Sequence, residues 1–415
     1  MKNKRIWVVP LITTLILLIF ATAFYPAYNP KPHDIPMAIV NLDKGTEVQG
    51  KKIEIGKQIE QKMMENDQST LDWHKVSSEA EAIKQVKNGT YAGAIVIDKH
   101  FSAHALSPAQ SIIMKDKQQE MATKVASGEI PPQMAAQLQQ QAPKIPQIEK
   151  ATMATYYDEG GQGQLGRVVQ QALTQMTERI NATVSKQNSN ALAQNKVSIP
   201  SQQLDAIAHP VEAQSTAYHP IKSNQANGNA SMVLFMPVWL ASMITAVVLY
   251  FNYKKNKTSA HPKPRLLFAG LTLLIDFAAS TLGAFAYVYF LHGVLNFNFP
   301  NPLATALFIS LAVAGFSLLV LGIMVWVGII AAPLFLLFVF FSMQAVMLPF
   351  AMVPKFYQQY ILPWNPFKHY TSEITRLIYL NHGFTLNANT WMFIAFILFG
   401  IISITSAYYF KKFKS

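Results

Sequence analysis

Hydrophobic and polar positions are distributed unevenly along this chain. One apolar segment covers residues 6–25, residues 26–230 are mostly polar, and from residue 231 onward apolar segments follow one another closely. A helix rises 1.5 Å per residue, so ~20 apolar residues cross a hydrocarbon core ~30 Å thick. The first segment meets that length. A second span is predicted over 231–251 and a third over 266–290. Residues 303–353 contain no charge at all; as one helix they would reach ~75 Å, so two spans with a turn near Gly322 to Pro333 are expected. The last span is predicted over 389–410. The expected fold class is therefore an α-helical polytopic membrane protein of six spans, with an extracytoplasmic α/β plus helical domain inserted between spans 1 and 2.

The polar region divides by pattern. Residues 26–117 alternate β-branched runs with helical ones: Met37-Ala38-Ile39-Val40, a helical face of Ile55, Ile59 and Met63, a strand over 71–76, a helix over 78–87, and Ala94-Ile95-Val96-Ile97. Period two followed by period 3.6 predicts a small α/β domain. Residues 118–230 are rich in Gln, Ala, Met and Lys. There Leu165, Val169, Leu173, Met176, Ile180 and Val184 recur at threes and fours, giving one apolar stripe on a long helix. A helical region is expected, packed on the α/β domain or used for self-association, and broken by Pro131-Pro132 and Pro143 to Pro146. The predicted division is a 1–25 anchor, the two parts just named, and a 231–415 five-span membrane domain.

Charge orients this arrangement. Lys2, Lys4 and Arg5 precede the first span; Lys254, Lys255, Lys257, Lys263 and Arg265 lie between the second and third; Lys411, Lys412 and Lys414 follow the last. Positive charge collects on the cytoplasmic side, so both termini are expected in the cytoplasm and the large domain outside. The formal charge of +12 is thereby explained in part by orientation, without nucleic acid as a partner. Ala21-Thr22-Ala23 resembles a signal-peptide cleavage site, but the apolar run exceeds a usual signal core, and an uncleaved anchor is expected. The sequence contains no cysteine, which excludes disulfides and thiolate metal sites.

No enzyme chemistry emerges. Gly45-Thr46-Glu47-Val48-Gln49-Gly50-Lys51-Lys52 has the outline of a phosphate-binding loop, but Lys52 stands where a Ser or Thr would hold magnesium; a strand-to-helix turn is expected instead. His100 and His104 are four apart without a third ligand. No Gly-x-Ser-x-Gly turn occurs. Neither metal nor cofactor is expected.

Ala38-Ile39-Val40-Asn41-Leu42-Asp43-Lys44-Gly45, Leu71-Asp72-Trp73, the run from Gln85 through Gly89 to Ile97, and His100-Phe101-Ser102 together resemble the extracytoplasmic signature of the YhgE/Pip ("phage infection protein") family. Members of that family resemble type-2 ABC-transporter permeases, with one span, an outside domain and five further spans. The resemblance implies a bacterial cytoplasmic-membrane protein with an export or envelope function, and some relatives are linked to phage adsorption or protein secretion. Asn41, Asp43 and Gly45 suit turn hydrogen bonding at a strand end, and Gly89 suits a helix terminus. Trp73 and Phe101 read as core.

Within the spans Asp276 is the only acid. Near mid-bilayer a charge costs at least ~2.5 kcal/mol on insertion scales, so it must face protein or water, be protonated, or find a donor. It is a candidate for the transport path, with Gln344 as candidate partner, or equally a buried, protonated carboxyl that hydrogen-bonds a neighbouring helix; Ala279 and Gly283 read as a close helix contact. Pro363-Trp364-Asn365-Pro366-Phe367, then Glu373 and Arg376, suggest a broken re-entrant or surface helix at the outer face, anchored by Tyr357, Tyr360 and Trp364. The resemblance to type-2 permeases implies a segment bordering the exit of the translocation path; an ordinary interfacial anchor is the equal alternative. The leading expectation is the permease subunit of an exporter for a hydrophobic or amphipathic compound, a homodimer served by a cytoplasmic ATPase docking on 252–264, although only a few residues precede the first span. The alternatives are a non-transporting envelope receptor, scaffold or secretion component, and a proton-coupled exporter using Asp276.

Overall fold

The computed structural model describes residues 33–410 apart from 49, 66–69, 132, 135–143, 162, 256–261 and 349. The first expected span and the closing lysines lie outside the described residues. The chain forms two compact units, one of residues 33–158 and 165–218, the other including 159–164 and everything from 219 onward.

The first unit is built on a five-stranded sheet of order β4-β1-β5-β6-β7, with β1 Ile35–Asn41, β4 Leu71–Lys75, β5 Gly93–Ile97, β6 Ala151–Asp158 and β7 Val211–Tyr218. β1 pairs parallel with β4 and β5, β5 antiparallel with β6, and β6 parallel with β7. β1 is buried almost throughout, as expected of a central strand covered on both faces. Ala38, Val40, Ala94 and Val96 pack against helix α2, Glu79–Lys87. Strand alternation sends Met37, Ile39 and Ile95 to the opposite face, which carries α1 Ile55–Met64, α3 Phe101–Ala126 and α4 Gln164–Gln194. α4 crosses the sheet at Gly93, where an added Cβ would lie 2.7 Å from Val169. The C-terminal half of α4 packs through Leu192 against Ile112 of α3 and Ile207 of the short helix α5, Leu204–Ala208.

Two features differ from the sequence expectation. Residues 118–230, expected to be helical, contribute β6 and β7 to the sheet, and α3 runs unbroken through residues 117 and 118. β6 is Ala-Thr-Met-Ala-Thr-Tyr-Tyr-Asp, whose buried positions are small or polar enough to mute the alternation; β7 is an edge strand with most side chains outside the core. In addition, residues 46–53 form a two-stranded antiparallel hairpin, β2 Thr46–Val48 with β3 Lys51–Ile53, rather than a simple turn into α1.

The second unit is helical: α6 Ala230–Lys255, α7 Pro262–Gly293, α8 Pro302–Val327, α9 Ala331–Met347, α10 Lys355–Tyr360, α11 Pro366–Ile378 and α12 Ala388–Phe410. Among the described residues four helices, α6, α7, α8 and α12, are long and apolar enough to cross a membrane. α9 has 17 residues, ~26 Å of helix, at the short limit for a span. The uncharged stretch turns where expected: Gly328 caps α8 with a φ of 95°, a left-handed conformation open to glycine.

α8 is the centre of this unit. Its aromatic neighbours interlock: Trp239 of α6 meets Phe316 edge-on at 5.0 Å, Phe316 meets Phe393 of α12 at 5.1 Å, and Phe235 meets Phe367 of α11 at 5.1 Å. Close helix approach depends on glycines of α8 and α12. A Cβ on Gly400 would lie 2.6 Å from Leu318 Cβ and 2.7 Å from its carbonyl. Gly283, which the sequence marked with Ala279 for such contact, has nothing within 4 Å of an added Cβ among the described residues, and Ala279 is exposed there. The close packing lies on different small residues.

Candidate functional site

Three groups of the predicted residues can be followed into the structure. The first is a knot at the sheet's end. Asp43 accepts hydrogen bonds from the Gly56 amide at 3.1 Å, the Ser102 amide at 3.0 Å and the Ser102 hydroxyl. Those amides open α1 and α3, so one carboxylate caps two helices. Asn41 accepts from the Asp43 amide and donates to Glu60 at 2.9 Å, and Lys75 pairs with the same Glu60. Burial raises the Glu60 pKa, but the hydrogen bonds from Lys75 and Asn41 outweigh it and hold the carboxyl below the usual range. Gly45, at φ 74°, brings its backbone to the Ile53 carbonyl, where a Cβ would be 2.9 Å away. Gly89, also at φ 74°, closes α2 by donating to the Val86 carbonyl. Trp73 and Phe101 are buried. These groups satisfy one another and leave little capacity for a ligand. His100 and His104 stack loosely, and His104 pairs with Glu149; among the described residues no cluster of three His, Asp or Glu residues is placed to hold a metal.

The second group surrounds Asp276. Thr272, Asp276 and Ser280 follow at intervals of four on α7 and are all buried, forming a polar line on one face of an apolar helix. Thr272 donates to the Phe268 carbonyl and meets the Tyr408 hydroxyl at 3.2 Å. Ser317 of α8 is the hydroxyl beside the Asp276 carboxyl, yet neither carboxyl oxygen, nor the Ser280 hydroxyl, makes a hydrogen bond of ordinary geometry. Gln344 lies on α9; where its side chain goes lies outside the described residues.

The third group is the segment between α9 and α12. Asn365 caps α11 by accepting from the Phe367 amide, and Pro366 occupies the first turn, where a missing N–H costs nothing. Trp364 is exposed, stacks on Phe338 and donates to the Tyr360 carbonyl. α11 is amphipathic. Phe367, Tyr370, Ile374 and Leu377 enter the core, while Lys368, Thr371, Ser372, Thr375 and Arg376 line a cavity of about 280 Å³ completed by Ser231 and Phe350 among others. Glu373 is fully buried. It accepts from Asn387 at 3.0 Å and Asn389 at 2.9 Å and pairs with Arg376 at 3.4 Å. His369 in turn meets the Asn389 side-chain oxygen at 2.9 Å. A buried carboxylate is tolerated here because three donors replace its water.

Glu373 and Arg376 are thus brought together, whereas the sequence alone left Asn387, Asn389, His369 and the cavity-lining hydroxyls unmarked. The signal for the latter was present: 368, 371, 372, 375 and 376 share one face of a 13-residue helix whose opposite face is apolar. Chemically the cavity offers Lys368, the Glu373-paired Arg376 and four hydroxyls to a polar or anionic group, at a place where apolar helices converge.

Comparison with known proteins gives this bundle of apolar helices a family. The model of the ABC-2 family transporter protein matches residues 4–405, and the chain belongs to that family of membrane transporter permeases. The uncharacterized protein YhgE of Bacillus subtilis (strain 168) is 30% identical over 101 residues, a stretch that is 23% of this chain and 13% of that relative. Among solved structures, a domain of a putative ABC type-2 transporter from Thermotoga maritima MSB8 is 17% identical, covering 48% of this chain and 99% of that one with a TM-score of 0.26.

Proposed function

We propose that this chain is the membrane subunit of an exporter that moves a hydrophobic or amphipathic compound outward, working as a homodimer with a separate cytoplasmic ATPase. The family match across residues 4–405 is the observation that carries this reading. In it the chain has six spans: residues 6–25, α6, α7, α8, α9 and α12. Both termini are cytoplasmic, and the sheet-bearing unit faces outward. Lys254, Lys255 and Arg265 at the facing ends of α6 and α7 support that orientation, and the ATPase docks on 252–264. The cavity of Lys368 and Arg376 then lies toward the outer face, where a departing polar headgroup meets two cations.

Because the sequence has no cysteine, single cysteines report topology without background. Lys87→Cys should react with a membrane-impermeant maleimide in intact cells and Lys255→Cys only after permeabilisation; the reverse pattern would overturn the orientation. A tagged chain extracted in mild detergent should retain a stoichiometric P-loop ATPase. Recovery of envelope proteins alone would favour a receptor, scaffold or secretion component.

A second reading, export driven by protons, is favoured by one observation: among the described residues neither oxygen of the buried Asp276 makes a hydrogen bond of ordinary geometry, with the Ser317 hydroxyl beside it. A carboxyl so placed is suited to exchanging a proton with a transport path. Transport by proteoliposomes under an imposed pH gradient without nucleotide, lost in Asp276→Asn, is its test; transport strictly dependent on ATP would exclude it.

A further inference from the structure

In the sheet-bearing unit, α1, the edge strand β4 and α4 enclose an open groove of about 310 Å³, within the range of ~300–1,000 Å³ that small-molecule sites occupy. Its walls are apolar: Ile59 and Met63 from α1, Trp73 from β4, Met176 and Ile180 from α4. These are the residues of the helical stripes read from the sequence. The stripe on α4 does two things, since Leu165, Val169 and Leu173 are buried in the unit's core while the half-buried Met176 and the edge of the buried Ile180 line the groove. Two of the walls are methionine, whose unbranched side chain adapts to a flexible guest.

Charge narrows the guest further. Lys62 stands on one wall and Arg179 on the other, and among the described residues no acidic one lines the groove. Both cations are exposed, and among the described residues neither forms an ion pair, unlike Lys52, Lys75, Lys124 and Lys150 elsewhere in the unit. The remaining polar groups, Gln58, Thr183 and Gln187, are neutral. An apolar trough with two unneutralised cations on its walls complements a molecule with one long hydrocarbon chain and one acidic end. A peptide would bring a polar backbone that the apolar walls leave unsatisfied.

We propose that this groove binds a long-chain fatty acid, the alkyl chain lying between α1 and α4 over Trp73 and the carboxylate held by Lys62 and Arg179. The proposal stands apart from the exporter reading, because binding is measured without turnover. The full chain in nanodiscs is irradiated with a diazirine-bearing palmitate analogue, and labelled peptides are identified by mass spectrometry. Labelling is expected within 55–63 and 176–187, displaced by excess palmitate but not by hexadecanol. Lysophosphatidylglycerol displacing the probe more strongly than palmitate would replace the fatty acid with a lipid headgroup and overturn the proposal as stated. The pair Lys62→Glu and Arg179→Glu should reduce groove labelling by about tenfold, as turning two exposed attractive contacts into repulsive ones does, with the thermal transition of the unit unchanged. If that pair disturbs the fold, Ile59→Trp, which fills the trough and keeps both cations, should abolish labelling instead. Labels confined to the apolar helices, or groove labelling displaced equally by hexadecanol, would sink the idea.

Discussion

Two carboxylates show how differently the two units treat polar groups. Asp43, at the sheet's end, is half-buried and accepts from two helix-opening amides and a hydroxyl. Asp276, in α7, is fully buried and accepts from nothing at ordinary hydrogen-bond geometry. The first is a structural part, because each bond it makes satisfies a donor that would otherwise be orphaned. The second contributes nothing visible to the bundle, which is held by interlocked aromatic rings and glycine-mediated contact along α8. Glu373 sharpens the contrast, since the same helical unit satisfies that carboxylate with Asn387, Asn389 and Arg376. An apolar surrounding does not by itself prevent pairing.

Substitutions should separate these cases by size. Glu373→Ala leaves Arg376 and two half-buried amides without their acceptor, and should destabilise the helical unit by ~2–4 kcal/mol, toward the lower end of what breaking a buried ion pair costs; denaturant unfolding in detergent, followed by the Trp signal, measures it. Asp43→Ala uncaps α1 and α3 together and should cost the sheet-bearing unit ~2–4 kcal/mol, seen as earlier protease cleavage of that unit. Gly400→Ala drives a methyl into Leu318 and should cost ~1–3 kcal/mol by overpacking, whereas Gly283→Ala should change stability by less than ~0.5 kcal/mol. Asp276→Asn should leave stability within ~1 kcal/mol of the parent, since no bond is removed, while transport falls. An unstable Asp276→Asn would make that residue structural and break the comparison.

The smallest effect is a pH dependence. The Glu60 carboxyl is held below its ordinary value in the fold, so its contribution is present above the unfolded value of ~4.3 and is lost as pH falls through the folded value. Melting of the sheet-bearing unit in Glu60→Gln should therefore decline less on acidification below pH ~4.3 than in the parent.

Much of this was legible in the sequence, and what was missed has physical causes. Apolar runs place helices well because composition alone marks them, so α6, α7, α8 and α12 fall close to their expected limits. β1 and β5 were legible because central strands are continuously apolar. β6 and β7 were not, since Thr and Ala at inward positions and an exposed edge blur the alternation on which strand reading depends. Asp43 and Glu373 could be marked as residues, but their partners Ser102 and Asn389 come from distant positions that only folding brings near. Gly283 misled because a small residue permits close approach without supplying a neighbour; Gly400 has one in Leu318.

The central claim is that this ABC-2 family chain is the membrane half of an ATP-driven exporter, and its most direct test is purification of the tagged chain from native membranes in mild detergent, followed by an ATPase assay of the complex. A stoichiometric P-loop ATPase, whose activity falls when residues 252–264 are replaced by a Gly-Ser linker of equal length, is the predicted result. A chain recovered without any ATPase, at full yield and with its fold intact, would contradict it.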